Sequence, residues 1–357
     1  MKIALITDTH WGVRNDSQVF LTYFEKFYRE CFFKYLDDHD IKSIIHLGDI
    51  VDRRKYINYV TLRAFKENFV KPVKDREIDL HVIVGNHDIP YRSSNEINAM
   101  REIFEHGNNQ YVKTYDNPTN INMDGCDIAL MPWIHPGNFQ TCATFIDKTP
   151  AQVLFGHLEL QGFEMSRGLV MNEGYSAEMF KHFDVVASGH YHHKSTRGNI
   201  NYLGAPYEMT WHDYDDPRGF HIFDTETRTF EFIKNPYKMF YKLWYDDEGK
   251  ELQDVVEQDY SEYENTYLKV IVTSKTNPYW FDLFLDKLYK VNPANLSIVD
   301  DNKNLDQLNE DEIVNEAEDT LTIMHNYVNA TEMDVSATDL NKLLQSLYSE
   351  AQSMEVT

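Results

Sequence analysis

Five short segments of the chain carry residues able to hold metal ions: Asp8-Thr9-His10, Gly48-Asp49-Ile50-Val51-Asp52, Gly85-Asn86-His87-Asp88, Gly156-His157 and Gly189-His190-Tyr191-His192. Each alone is ordinary turn chemistry, since Asn, Asp and Gly suit tight local conformations. Their order and residue types make the set informative. Two divalent ions roughly 3.5–4 Å apart need a carboxylate able to bridge them, and Asp49 is the natural bridge. Imidazoles mixed with oxygen donors suit a transition ion such as Mn²⁺, whereas oxygen donors alone suit Mg²⁺ or Ca²⁺. Such a pair activates a water as nucleophile and clamps the oxygens of a phosphoryl group. Glycines 48, 85, 156 and 189 are expected to turn sharply out of strands with positive φ.

Apolar runs that read as buried strands precede the motifs: Ile3–Ile6, Ser43–Ile45, His81–Val84, Gln152–Phe155 and Val185–Ala187. Each therefore delivers its polar residues at a strand's carboxyl end, where open α/β sheets bind ligands. Helical spacing follows over Gln18–Leu36, Asn58–Val70 (with Pro72 as a stop) and Asn95–Phe104. Strands are expected at Asp127–Trp133 and Asn201–Leu203, then a hairpin-like pair at Gly219–Phe223 and Thr229–Ile233. The predicted fold class is α/β, a β-sandwich flanked by helices. After Asn235-Pro236 the pattern changes to strands at 239–245 and 267–273, a helix from Pro278 to Tyr289, and a strand at Asn295–Val299, a small α+β module. Residues 300–318 are acidic. Apolar stripes at Ile313, Ala317, Leu321, Met324 and Val328, and at Leu340, Leu343, Leu344 and Leu347, mark a two-helix tail that could pack on itself or on a partner. The expected division is 1–235, 236–300 and 301–357.

At 357 residues, with 42% apolar and 26% charged residues, the chain is of ordinary globular composition. It has no apolar run long enough for a membrane span, and the expected first strand begins at the N-terminus with no signal peptide ahead of it. Cys31, Cys126 and Cys142 lack zinc spacing and read as free thiols in a reducing compartment, so the expected location is cytoplasmic. The net charge of −24 opposes nucleic-acid binding, but roughly half of the excess lies after Asn295. Arg53, Arg54 and Lys55, with Arg63, Arg92, Lys194 and Arg197, are candidate contacts to a polyanion, Arg53 and Arg54 foremost.

The five motifs resemble the calcineurin-like metallophosphoesterase superfamily and, within it, the SbcD-type DNA repair nucleases, including the recombination nuclease subunits of T-even-like phages. The resemblance covers residues 1–233 and extends to Tyr202–Met209 and Pro217–Phe220. It implies one metal on Asp8, His10, Asp49 and His192 and another on Asp49, Asn86, His157 and His190. It puts His87 in the place of a catalytic histidine, stabilising the transition state or protonating a leaving 3′ oxygen, with Asp88 orienting it. Asp52 stands where some relatives carry a second histidine, so its part is supportive. The resemblance further implies a Mn²⁺-dependent 3′→5′ exonuclease and single-strand or structure-selective endonuclease. Its module at 236–300 would cap DNA, and its tail would bind an SbcC-type coiled-coil ATPase. The assembly would be a homodimer within a heterotetramer, formed through helices such as 58–70, in the host cytoplasm if the source is viral. Two other readings compete. Gly48–Arg53 is very like the protein Ser/Thr phosphatase motif, with Arg53 as a bidentate phosphate grip, although phosphatases carry Glu where this chain has Asp88. A non-catalytic scaffold of the same fold is opposed by the full ligand set.

Overall fold

The computed structural model describes residues 1–91, 93–104 and 111–300, together with Ser336, Leu340, Leu343 and Leu344. In chain order the first unit contains β1 (Lys2–Ile6), β2 (Ser43–His46), β3 (Asp79–Ile83), β4 (Val112–Tyr115), β5 (Thr119–Met123), β6 (Cys126–Met131) and β7 (Val153–His157). A short hairpin of β8 (Glu164–Ser166) and β9 (Leu169–Val170) follows. Then come β10 (Val185–Gly189), β11 (Ser195–Arg197), β12 (Ile200–Tyr202), β13 (Gly219–Asp224) and β14 (Thr229–Lys234).

These strands build two six-stranded sheets, ordered β14-β13-β1-β2-β3-β4 and β11-β12-β10-β7-β6-β5. The strands β1 to β4 are mutually parallel, as are β6, β7, β10 and β12. The hairpin β13–β14 closes the first sheet antiparallel to β1. The apolar runs of the inner strands are explained by burial on both faces. Ile3 and Leu5 join Val153, Phe155 and Ala187 in a core shared by the two sheets. Ala4 and Ile6 point the other way, into an aromatic core under the helices between 18 and 75. Leu154 and Val186 do the same for the helix Phe139–Lys148 on the second sheet. The result is the expected sandwich with helices on its outer faces.

Three expected boundaries shift for physical reasons. The helix that starts at Tyr59 does not stop before Pro72 but runs to Asp75. A widened turn over Lys66–Val70, closed by Lys71 N–H donating to the Lys66 carbonyl, precedes the proline and absorbs its missing donor. The helix expected from Asn95 starts at Ala99. Asn95 instead donates to the carbonyls of Asp116 and Trp133, and Asn98 Oδ1 accepts from Arg101 N–H at the helix start. The strand expected to reach Trp133 ends at Met131, ahead of Pro132.

By compactness the described residues divide into one unit of 1–241, 261–268 and 291–295 and another that includes 242–260, 269–290 and 296–300. The later part carries β15 (Phe240–Asp246), β16 (Tyr267–Ser274) and β17 (Asn295–Asp300) in one sheet, and the helix Pro278–Val291. Within the second unit the Tyr245 ring packs 4.8 Å from Phe281 and 4.9 Å from Phe284. The helical stripe at 313–328, Leu347 and the acidic linker lie outside the described residues. Among those described, no helix is long and apolar enough to cross a membrane, and the three cysteines are free thiols.

Candidate metal centre

The inner strands of both sheets end on the same edge of the sandwich, and the candidate ligands lie there. Asp8 and His10 follow β1, Asp49 follows β2, and Asn86, His87 and Asp88 follow β3. His157 ends β7, and His190 and His192 follow β10. Two of these loops are zipped together. The N–H groups of Asp8, Thr9, His10 and Trp11 donate to the carbonyls of Gly48, Asp49 (twice) and Ile50. That pairing sustains left-handed backbone at three non-glycine ligands, with φ 52° at Asp8, 40° at His10 and 53° at Asp49; at His190, whose N–H donates to the Asp8 carboxylate, φ is 91°. Such conformations cost on the order of 1–3 kcal/mol each and persist where surrounding structure enforces them.

Of the four glycines expected to need positive φ, only Gly48 has it, at 101°. Gly85 and Gly189 are required by crowding instead. A Cβ on Gly85 would lie 2.2 Å from Asp49 Oδ1 and 2.4 Å from the Asp49 nitrogen. Gly85→Ala must therefore push the Asp49 loop away. We expect a stability loss of about 1–3 kcal/mol together with reduced metal content, read by thermal unfolding and metal analysis. Unchanged values for both contradict this account of the glycine.

Among the described residues the side chains form three overlapping groups: Asp8, His10 and His192; His10, Asp49 and His87; and Asp49, His157 and His190. His10 Nε2 lies 4.0 Å from Asp8 Oδ1 and 3.7 Å from Asp49 Oδ2, and His192 Nε2 lies 3.1 Å from His10 Nε2. On the other side His157 Nε2 lies 3.4 Å from the same Asp49 oxygen and 2.9 Å from Asn86 Oδ1. His190 Nδ1 is 3.0 Å from that amide oxygen. His157 Nδ1 donates to the Leu47 carbonyl at 2.8 Å. Since a carbonyl only accepts, Nδ1 carries a proton, and loss of the proton on Nε2 would leave that nitrogen's lone pair facing Asp49 and Asn86.

The electrostatics ask for positive charge. Asp8 and Asp49 are buried. Burial alone would push His10 down, but Asp52, Asp49 and Asp8 outweigh it and raise His10 to about 9. His157 likewise reaches about 9 against its burial, through Asp49, Asp8 and the Leu47 carbonyl. Burial opposes charge on Asp49, yet His157, His87 and His10 hold it well below the usual carboxylate range. His192 is driven well below the usual histidine range by burial and by the charge on His10. Without metal, protons on His10 and His157 thus balance the carboxylates. Among the described residues the buried His10 Nδ1 has only the Asp52 carboxylate near it, at 3.5 Å, and two imidazole Nε2 atoms face each other. A mixed set of buried N and O donors with this demand for cations fits two divalent transition ions.

The sign of the proton competition is fixed by those shifts. For a group whose folded value is raised, the stabilisation is complete below the ordinary histidine value of about 6.5 and fades as pH climbs to about 9. Metal-free protein should therefore lose stability over that window, while metal affinity rises because binding expels the protons. Calorimetry of Mn²⁺ binding in buffers of different ionisation enthalpy measures the release. Binding without proton release contradicts it.

The residues around the ligands depart from expectation in two places. Among the described residues no hydrogen bond or ion pair joins Asp88 to the His87 ring. The buried Asp88 carboxylate accepts from the N–H groups of Asp49, Ile50, Val51 and Gly85, at 2.9, 2.9, 3.3 and 2.9 Å, and so anchors the loop that carries Asp49. The His87 ring is held instead by Nδ1–H donating to the Asp52 carbonyl. The Asp52 carboxylate lies 3.5 Å from His10 Nδ1. Burial, His10 and Arg54 keep His87 below its ordinary value despite Asp49. Arg53 is the second departure. Its guanidinium donates to Asp16 at 2.8 Å and Asn15 at 2.7 Å, so its fork is engaged and is not a ready phosphate grip.

The other basic candidates have separate surroundings. Arg63 pairs with Glu67, Lys194 lies over the Phe232 ring, and Arg197 donates to the Gly162 carbonyl. Lys55 is exposed, and Arg92 lies outside the described residues. Several neighbours escaped the sequence reading. His46, kept neutral by burial at about 3, accepts from Gly48 N–H and bonds Thr9 Oγ1 at 3.1 Å. The Trp133 ring stands 5.0 Å from that of His190, and Arg218 donates to the His192 carbonyl. A histidine ending the apolar run Ser43–His46 was the one available signal.

Comparison with known proteins agrees with this geometry. A family model described as calcineurin-like phosphoesterase matches residues 1–194. The chain is 34% identical over 355 residues to exonuclease subunit 1 of Enterobacteria phage T4, covering 98% of this chain and 99% of that protein. It is 27% identical over 197 residues to the DNA double-strand break repair protein Mre11 of Sulfolobus acidocaldarius, 54% of this chain and 50% of that one. To the SbcD component of the SbcCD nuclease of Staphylococcus saprophyticus it is 25% identical over 214 residues, 52% and 55% of the respective chains. With its first 194 residues matched by the family model and a near full-length relative at this identity, the chain belongs to the calcineurin-like phosphoesterase family and is an enzyme of that class.

Proposed function

We propose that the protein is a Mn²⁺-dependent DNA nuclease that processes DNA ends in recombination and repair. The observation that carries this reading is the run of overlapping ligand groups in which Asp49 lies between His10 and His157, in a chain similar throughout its length to a phage exonuclease subunit. Asp8, His10, Asp49 and His192 would hold one ion, and Asp49, Asn86, His157 and His190 the other. Bound there, the ions would lower the pKa of a water and neutralise charge on the phosphoryl oxygens.

The chain's own residues do the rest. Asp88 and the paired 8–11 and 48–50 backbones keep Asp49 fixed, so little reorganisation is needed when charge develops. The Asp52 carbonyl fixes the proton on His87 Nδ1. That leaves Nε2 as the nitrogen through which His87 can stabilise the transferring group or hand a proton to the leaving 3′ oxygen.

On the same reading, the enzyme acts as a 3′→5′ exonuclease and as a single-strand or structure-selective endonuclease. The α+β module of 236–300 caps the DNA, and residues beyond 300 bind an SbcC-type ATPase. A homodimer within a heterotetramer, working in the host cytoplasm, is the proposed assembly. End-labelled single- and double-stranded DNA should be cut with Mn²⁺ and less with Mg²⁺, and ATP should change the products only when the ATPase is present. A phosphopeptide hydrolysed faster than DNA would move the assignment to a protein phosphatase.

A further inference from the structure

The four ligand imidazoles are not held alike. His157 Nδ1 is fixed by the Leu47 carbonyl, His10 Nδ1 faces the Asp52 carboxylate at 3.5 Å, and His190 Nε2 lies 3.8 Å from Glu159 Oε1. His190 is also tied at its main chain, where its N–H donates to the Asp8 carboxylate. His192 differs. Among the described residues its ring makes one hydrogen bond, to His10 Nε2, the neighbouring ligand. Its orientation therefore depends on its main chain. The His192 carbonyl accepts from Ala205 N–H at 3.1 Å and from the Arg218 guanidinium.

Arg218 is well placed for this. Antiparallel pairing of β13 with β1 in the register Leu5↔His221 brings the start of β13 to the metal edge of the sandwich. The Arg218 side chain is 4% exposed. Its Nη2 donates to Asp213 at 2.6 Å and lies 2.9 Å from Asp216. Asp213 is itself fixed by the N–H groups of Met209 and Thr210, and Asp216 bonds His193 Nδ1 at 2.9 Å. One planar fork thus joins the segment 209–216 to two successive residues of the ligand loop, His192 by its carbonyl and His193 by its ring. A lysine, a point charge on a flexible stem, cannot hold those acceptors together in one geometry.

We propose that Arg218 is a positioning residue for the ion held by Asp8, His10 and His192, acting through the His192 main chain and, by way of Asp216, through His193. The inference rests on the two-ion reading given above. It predicts selectivity: the group of Asn86, His157 and His190 has its own anchors and does not depend on Arg218.

The test is Mn²⁺ binding to the full chain by calorimetry and electron paramagnetic resonance, with no activity readout. Arg218→Met should weaken one of two sites by about 10–100-fold, the usual effect of losing a group that supports a metal ligand, and leave the other within about twofold. The coupled signal of a Mn²⁺ pair should give way to that of a single ion, as in His192→Ala. Arg218→Lys should restore part of the loss. Because Arg218→Met strands two buried carboxylates, the triple variant Arg218→Met, Asp213→Asn, Asp216→Asn removes that charge and should show the same single-site loss. A folded Arg218→Met or triple variant that binds both ions as wild type overturns the proposal, and so does equal weakening of both sites in the triple variant. A wild-type chain that binds fewer than two ions instead fails the two-ion reading itself.

Discussion

Asp49→Ala is expected to take the enzyme to background activity, a loss beyond about 10³-fold, since removing even one fixed group that stabilises a transition state costs about 10²–10³. The reason is position. A single Asp49 oxygen lies 3.7 Å from His10 Nε2 and 3.4 Å from His157 Nε2, so it stands between the histidines assigned to the two ions. Asp8→Ala removes a carboxylate from one group only and should leave one ion bound, whereas Asp49→Ala should reduce the content below that. A second readout is independent of catalysis. Asp49 is a leading cause of the raised values of about 9 at His10 and His157. In metal-free Asp49→Ala both rings should titrate closer to the ordinary histidine range, measurable by NMR. An Asp49→Ala protein with two bound ions and near-normal cleavage contradicts the assignment.

His87→Ala should separate chemistry from metal retention. The ring is fixed by the Asp52 carbonyl, and the His87 main-chain N–H donates to Asp49 Oδ1, a bond that alanine preserves. Metal content should stay at two ions while the rate falls by about 10²–10⁴, the span of acid–base groups. His87 also lies close enough to His10 and Asp49 to join a ligand group, with its ring 4.8 Å from that of His10. Metal analysis of the variant therefore decides between two roles. A parallel fall in metal and activity makes His87 a ligand.

Much of this centre was readable because strand burial and ligand chemistry leave separate marks. Inner parallel strands covered on both faces must be continuously apolar, so Ile3–Ile6 or Val185–Ala187 announces a strand, and the first polar residues beyond it mark the sheet edge. Residue types at those edges then carry the metal chemistry. Interactions made through the backbone leave no such mark. Asp88 looks like a partner for the adjacent His87, but its oxygens are taken by four N–H groups of two loops that come together only in the folded sheet. Arg53 looks like a phosphate grip beside Asp52, yet Asp16 and Asn15, distant in sequence, take its fork. Arg218 lies 26 residues from His192 in sequence and meets its carbonyl only in the folded protein. Gly85 matters for the approach of the Asp49 side chain and not, as its place after a strand suggests, for its own φ.

The most direct test of the central claim is an anomalous difference map from crystals grown with Mn²⁺. The account requires two peaks roughly 3.5–4 Å apart, one bounded by Asp8, His10 and His192, the other by Asn86, His157 and His190, with the Asp49 carboxylate between them. A single peak, or two peaks that do not share Asp49, would contradict it.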